Sequence, residues 1–270
     1  MIQDGKNLLK EKRRLIMLEA QLRMQLKNKK IGLMTHIVLG YPSLDANKKI
    51  IHQMVQAGVD LMELQIPFSE PIADGPVILK ANQKALETGI TVQQCIDFAK
   101  EMAATHSIPF LLMTYYNILY QFGIEHFVKQ AAENKVYGTI IPDLPIEEGH
   151  HYIQTMNDYN LSPIFIFSPT TTDDRMKHIA SYGKGFIYCV ARKGVTGQTT
   201  TFSNDLSDYL ARCRSATHLP IAVGFGVKDK EDIQFLHGKA DIAVIGTQTI
   251  RIVEENGIDA VGPFIQSLMI

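Results

Sequence analysis

Glu63 stands in the middle of an apolar run, Asp60-Leu61-Met62-Glu63-Leu64-Gln65-Ile66-Pro67. The run reads as a strand, along which side chains alternate, so Leu61, Glu63 and Gln65 share one face and Met62, Leu64 and Ile66 the other. The wholly apolar set suits packing against helices, which turns the Glu63 set toward an interior. A carboxyl group in such a place is an edge residue reaching solvent, the partner of a buried Arg, or a group that does chemistry. If unpaired, burial disfavours its charged form and tunes it toward neutrality, which is what proton transfer near pH 7 needs. The loop that follows, Pro67-Phe68-Ser69-Glu70-Pro71-Ile72-Ala73-Asp74-Gly75-Pro76, brings a second carboxylate, Asp74. Its three prolines and one glycine fix the backbone without regular structure. Asp-Gly is also an ordinary turn pair, so Asp74 draws its interest from Glu63 nearby.

Glycines mark a second chemistry. Gly224-Phe225-Gly226 and Gly246-Thr247 each follow a β-branched apolar run. Glycine lets backbone N–H groups approach an anion closely, and a helix opening at Thr247 adds its dipole. One Gly-x-Gly alone is an ordinary turn; two glycine sites at matching places in consecutive units point to a phosphate. A third segment, Ala191-Arg192-Lys193-Gly194-Val195-Thr196-Gly197-Gln198-Thr199-Thr200-Thr201, has the glycines and small polar residues of a loop that closes over a substrate. The histidines and the three cysteines, Cys95, Cys189 and Cys213, form neither an HExxH motif nor a metal-ligand spacing nor a disulfide framework. Reduced thiols in the cytoplasm are the simplest account.

These residues must be held by a scaffold. Strands are predicted near 33–39, 60–66, 109–114, 137–142, 162–167, 185–190, 220–224 and 241–246. Helical stretches at 46–57, 77–88, 92–105, 124–134, 148–158, 172–182, 204–216 and 228–238 fill the gaps, and 247–254 and 258–268 close the chain. Strict strand–helix alternation argues for parallel strands with helical crossovers, and eight such units close a (β/α)8 TIM barrel. The 270 residues are ordinary for one such barrel, and no linker divides them, so residues 1–270 are read as a single domain. The first 30 residues carry nine Lys/Arg against three Asp/Glu, with Leu8, Leu9, Leu15, Ile16 and Leu22 interleaved. That pattern is an extra N-terminal helix with a solvated basic face, more than a nucleic-acid arm or a secretory signal. The formal net charge of −1 gives no field for nucleic acid, and no apolar run is long enough to span a membrane. In this fold chemistry sits at the strand C-termini, where the loop of Asp74 and the glycines fall, beyond the strand that carries Glu63.

The stretch Glu63-Leu64-Gln65-Ile66-Pro67-Phe68-Ser69-Glu70-Pro71-Ile72-Ala73-Asp74-Gly75-Pro76 resembles the signature of the tryptophan synthase alpha family, Glu-Leu-Gly-Ile-Pro-Phe-Ser-Asp-Pro-x-Ala-Asp-Gly-Pro. Gly224-Phe225-Gly226 and Gly246-Thr247 resemble its phosphate loops, the latter with Thr for the usual Ser, and 191–197 its mobile loop. The resemblance runs over roughly residues 32–256. It implies retro-aldol cleavage of indole-3-glycerol phosphate to indole and glyceraldehyde-3-phosphate, with no cofactor and no metal. Glu63 would be the general acid/base and Asp74 the carboxylate that binds the indole N–H. Tyr115, Tyr188, Thr196, Gly197, Phe225, Gly226, Gly246 and Thr247 would bind the phosphate ester substrate, Thr196 positioning the catalytic carboxylate and Arg192 supporting the closed loop. Asp143 would order that loop, and Asn117 would lie near the partner face. The implied partner is a tryptophan synthase beta subunit in an alpha2-beta2 heterotetramer, with the N-terminal helix either a plug at the barrel bottom or part of the surface near that partner.

Four positions depart from the family pattern. Gln65 replaces a Gly, on the same face as Glu63. His36 replaces a Phe or Tyr against the indole; it can still stack, but it is smaller and can charge. Ile118 replaces a Pro, and Glu70 an Asp. Two other readings remain: another phosphate-handling barrel, such as an isomerase or indole-glycerol-phosphate synthase, or a non-catalytic chain that only regulates a beta subunit. A catalytic Lys of the synthase kind is missing from the predicted strand cores, and Glu63, Asp74 and Thr196 are all present.

Overall fold

The computed structural model describes residues 17–191, 204–224 and 226–270. Helix α1 (Leu18–Leu26) comes first. There follow β1 (Gly32–Val38), α2 (Leu44–Gln56), β2 (Leu61–Gln65), α3 (Pro76–Glu87), α4 (Val92–Thr105), β3 (Phe110–Met113), α5 (Tyr116–Phe122) and α6 (Ile124–Glu133). The second half runs β4 (Gly138–Ile140), α7 (His150–Asp158), β5 (Ser162–Phe167), α8 (Asp173–Ala180), β6 (Ile187–Val190), α9 (Asn204–Ala216), β7 (Ile221–Gly224), α10 (Lys230–Leu236), β8 (Ile242–Ile245), α11 (Thr247–Asn256) and α12 (Val261–Ser267). Each strand pairs in parallel with the next, and β8 pairs back onto β1, so the sheet closes into an eight-stranded barrel.

The helices begin where the chemistry of their first residues dictates. Ser43 accepts from the Ala46 N–H to cap α2, and Thr91 with Gln94 forms a reciprocal capping box on α4. Pro76 opens α3 at a position where no backbone N–H is needed. Two apolar layers hold the barrel. Met62, Leu64 and Ile66 lie in the outer one with Ile50, Phe98 and Leu112, whereas Leu61 lies in the interior with Met34, Leu111, Ile140, Ile164, Ala222 and Ile242. The alternation read along 61–66 therefore holds, and Glu63 faces inward at 4% exposure.

The described part of the N-terminal segment is a plug. Leu18 and Leu22 of α1, at 1% and 0% exposure, join the interior layer at the N-terminal ends of the strands, and Arg23 donates to the His218 carbonyl at 2.6 Å. Residues 1–16 lie outside the described residues. Leu22→Ala is expected to destabilise the fold by about 2–5 kcal/mol, the usual result of a cavity in a core that cannot collapse, and urea unfolding with an unchanged m-value would register it.

Two elements differ from the reading above. α5 is an added helix directly after β3, in a stretch whose aromatic and β-branched residues carry little helical signal. Its N-terminus is held from outside: Asp143, on the loop after β4, accepts from the Tyr116 N–H at 2.8 Å. The predicted stretch 258–268 divides into a 3₁₀ turn, Ile258–Ala260, and α12.

Candidate active site

The parallel register sets His36 of β1 directly beside Glu63 of β2. Both point into the barrel, and both are 4% exposed. His36 Nδ1 lies 3.0 Å from Glu63 Oε1. Glu63 Oε2 and His36 Nε2 have no hydrogen-bond partner among the described residues. Of the readings left open for Glu63, the edge residue and the partner of a buried Arg are excluded: its partner is an imidazole. Burial works against a charged His36, but Glu63, by its charge and its hydrogen bond, together with Asp74 and Gln65, outweighs it and holds the imidazole above the ordinary histidine value.

Asp74 is fixed by two donors on one oxygen. Gln65 Nε2 donates to Oδ2 at 2.8 Å and the Tyr115 hydroxyl at 3.0 Å. Tyr115 in turn accepts from the Ala73 N–H at 3.1 Å, so the loop after β2 is tied to the end of β3 at both Ala73 and Asp74. Burial raises the Asp74 carboxyl above its usual range, against the pull of His36, Gln65 and Tyr115 toward the charged form. Gln65 therefore answers its departure from the family pattern by hydrogen-bonding within the site. Tyr115 is fully buried, its ring stacked on Phe68 at 5.3 Å between centroids.

Tyr188 of β6 stands opposite. A Cβ added at Gly224 would lie 2.3 Å from its hydroxyl oxygen, so the glycine that ends β7 makes room for this phenol. Burial, with Glu63 and Asp74 acting through their charges, raises Tyr188 well above the ordinary tyrosine value and keeps it protonated. At the ends of β7 and β8, Gly226 has a φ of 116°, in the left-handed region, and Gly246 opens α11 at Thr247 with no side-chain cap on the first N–H groups. The helix start is thus available to an anion.

The structure brings Glu63, Asp74, Tyr115 and Tyr188 to one barrel interior, with Gly226, Gly246 and Thr247 at the strand ends of the same mouth. Arg192, Lys193, Thr196, Gly197 and Phe225 lie outside the described residues. Sequence reasoning missed the bond from His36 to Glu63. Its signal was a polar residue at mid-strand on each of two consecutive strands, but only the register puts them at one depth.

The sequence matches the family described as tryptophan synthase alpha chain over residues 22–263. It is 59% identical over 252 residues to the tryptophan synthase alpha chain of Syntrophotalea carbinolica, covering 93% of this chain and all of that one. Its fold is similar to that of tryptophan synthase subunit alpha from Legionella pneumophila, with a TM-score of 0.84 at 29% identity over 93% of this chain and 96% of that one. It is likewise similar to a chain of the tryptophan synthase complex from Pyrococcus furiosus, with a TM-score of 0.81 at 27% identity over 88% and 97% of the two chains. With a barrel of this topology, two carboxylates at its mouth and a match across nearly all its length, the chain belongs to the tryptophan synthase alpha chain family.

Proposed function

We propose that Glu63 and Asp74 together perform the lyase reaction of this family, the retro-aldol cleavage of indole-3-glycerol phosphate to indole and glyceraldehyde-3-phosphate in tryptophan biosynthesis. The observation that carries this assignment is the pair of carboxyl groups in unlike surroundings: Glu63 buried on its strand with one oxygen unpartnered among the described residues, Asp74 held on a loop by Gln65 and Tyr115. Cleavage needs indole C3 to gain a proton and the hydroxyl on the leaving carbon to lose one. Glu63, placed near both, moves each proton in turn and ends as it began. Protonation of C3 puts positive charge on the indole nitrogen, and the Asp74 carboxylate offsets it. Tyr115 and Tyr188 wall the ring. Gly226, Gly246 and Thr247, with Phe225, Gly197 and Thr196 as expected from the resemblance, take the phosphate and close the site.

The chain works as one barrel domain in the cytoplasm, paired with a beta subunit in an alpha2-beta2 heterotetramer that receives the indole. Supporting this, the rim beside the site is apolar and exposed: Ile72 is 71% exposed and Tyr120 63%. The Tyr115–Ala73 bond joins the loop of Ile72 and Glu70 to the helix of Tyr120 and Asn117. The test is indole release from indole-3-glycerol phosphate by the purified chain, alone and with a beta subunit. Activity that rises with the beta subunit supports both parts. A chain that releases no indole under either condition, yet binds a glycerol phosphate, is a regulatory subunit instead.

A further inference from the structure

We propose that His36 is the positioning residue and proton partner of Glu63: it holds one carboxyl oxygen so that the other meets the substrate, and the two side chains carry one proton between them. The inference rests on the acid/base role given to Glu63 above. It starts from geometry. The two residues are register neighbours on β1 and β2, 3.0 Å apart at Nδ1 and Oε1, and sealed from solvent. A buried carboxylate beside a single ring nitrogen is fixed in direction, because Oε1 is engaged and, among the described residues, Oε2 alone stays open.

Among the described residues, the groups that face His36 are few. From β2 and its loop come Glu63, Gln65 and Asp74. From β8 comes only Gly246, where an added Cβ would lie 3.4 Å from that of His36, and Ile242–Ile245 carries nothing that titrates. Tyr188 of β6 faces the same two carboxylates, and Tyr115 binds Asp74. On the outer side of β1, Leu33 and Ile37 turn to the helices, so helix charges meet that apolar layer and not the imidazole. Among the described residues both charged neighbours of His36 are anions, and they keep a proton in the pair.

The reaction uses that proton without consuming it. With the pair singly protonated, Glu63 Oε2–H gives its proton to indole C3, and the carboxylate so formed accepts a hydrogen bond from His36 Nδ1–H. The carboxylate then takes the proton of the substrate hydroxyl as the carbon–carbon bond breaks, which restores the starting count. Loss of the shared proton at high pH ends the first step, and because Glu63 and Asp74 hold the His36 imidazole above its ordinary value, that loss comes at higher pH than a free imidazole would give.

The test has two arms on the full chain. In the free protein, the labelled His36 imidazole is titrated by NMR in wild type and Glu63→Gln. The midpoint is expected above the ordinary histidine value of about 6.5 in wild type and below it in the variant, where burial acts without the carboxylate. Equal midpoints overturn the pairing, whatever reaction the site performs. In the second arm, His36→Asn keeps an N–H donor near Nδ1 but cannot titrate. Its plateau kcat is expected to fall about tenfold, KM to change less than about threefold, and the basic limb of the kcat profile to move down by about one pH unit or more. His36→Phe, which keeps a ring without a donor, should show the lower kcat without rescue. A basic limb that stays in place in His36→Asn removes His36 from the reaction and leaves the role of Glu63 to its own variant.

Discussion

Glu63→Gln is expected to lower indole release from indole-3-glycerol phosphate by about two orders of magnitude or more, with KM changed little, as removal of a general acid/base does. The substitution suits the site. Glutamine has the same length, and its carbonyl oxygen can stand at the place of Oε1 and accept from His36 Nδ1–H, as the carboxylate does at 3.0 Å. Its amide cannot take up or release a proton at any working pH. The barrel should therefore fold as before, which circular dichroism and the unfolding midpoint would verify, while proton movement to C3 and from the hydroxyl stops. A variant that keeps more than about a tenth of the wild-type rate would take the proton away from Glu63.

The second large effect belongs to charge. Asp74→Asn is expected to reduce kcat by about 10²–10³-fold, the range seen when one preorganised electrostatic partner of a transition state is removed. The asparagine oxygen can still accept from Gln65 and Tyr115 at the position of Oδ2, so the loop keeps its ties. What goes is the negative charge that offsets the developing indolinium. Steady-state rates for Asp74→Asn against Asp74→Glu separate charge from shape. Recovery by Glu alone supports the electrostatic role, and equal loss in both variants assigns Asp74 to loop geometry.

Much of this was legible in one dimension because the determinants are local. A strand buried on both faces must be nearly all apolar, so runs such as Ile242–Ile245 announced themselves, and alternation over five residues put Glu63 inside. The loop of Asp74 was legible for the same reason, its prolines and glycine lying side by side. What escaped depends on strands meeting. His36 and Glu63 are 27 positions apart, and their bond exists only once β1 and β2 take their register. Gln65, a residue too many beside the carboxylate when viewed alone, becomes a donor once the loop folds back over it. Gly224 looked like part of an anion loop, and it also clears space for Tyr188. α5 escaped because seven residues begun by a carboxylate from another loop carry too little periodicity to declare a helix.

The plug of α1 has a consequence for how the chain is made. Leu18 and Leu22 leave the ribosome well before the surface they cover, which includes Phe186, Ala222 and Ile242, and Arg23 waits for a carbonyl 195 residues downstream. No floor exists for them until the last strand has closed the ring. A nascent chain therefore carries α1, with its apolar Leu18 and Leu22, without its seat until the barrel has been made, and sealing the barrel is among the last, least local events of its maturation. An element made before the barrel is finished last, so a protein truncated before β8 would have both an open sheet edge and an unhoused apolar helix, two surfaces that invite capture by other chains.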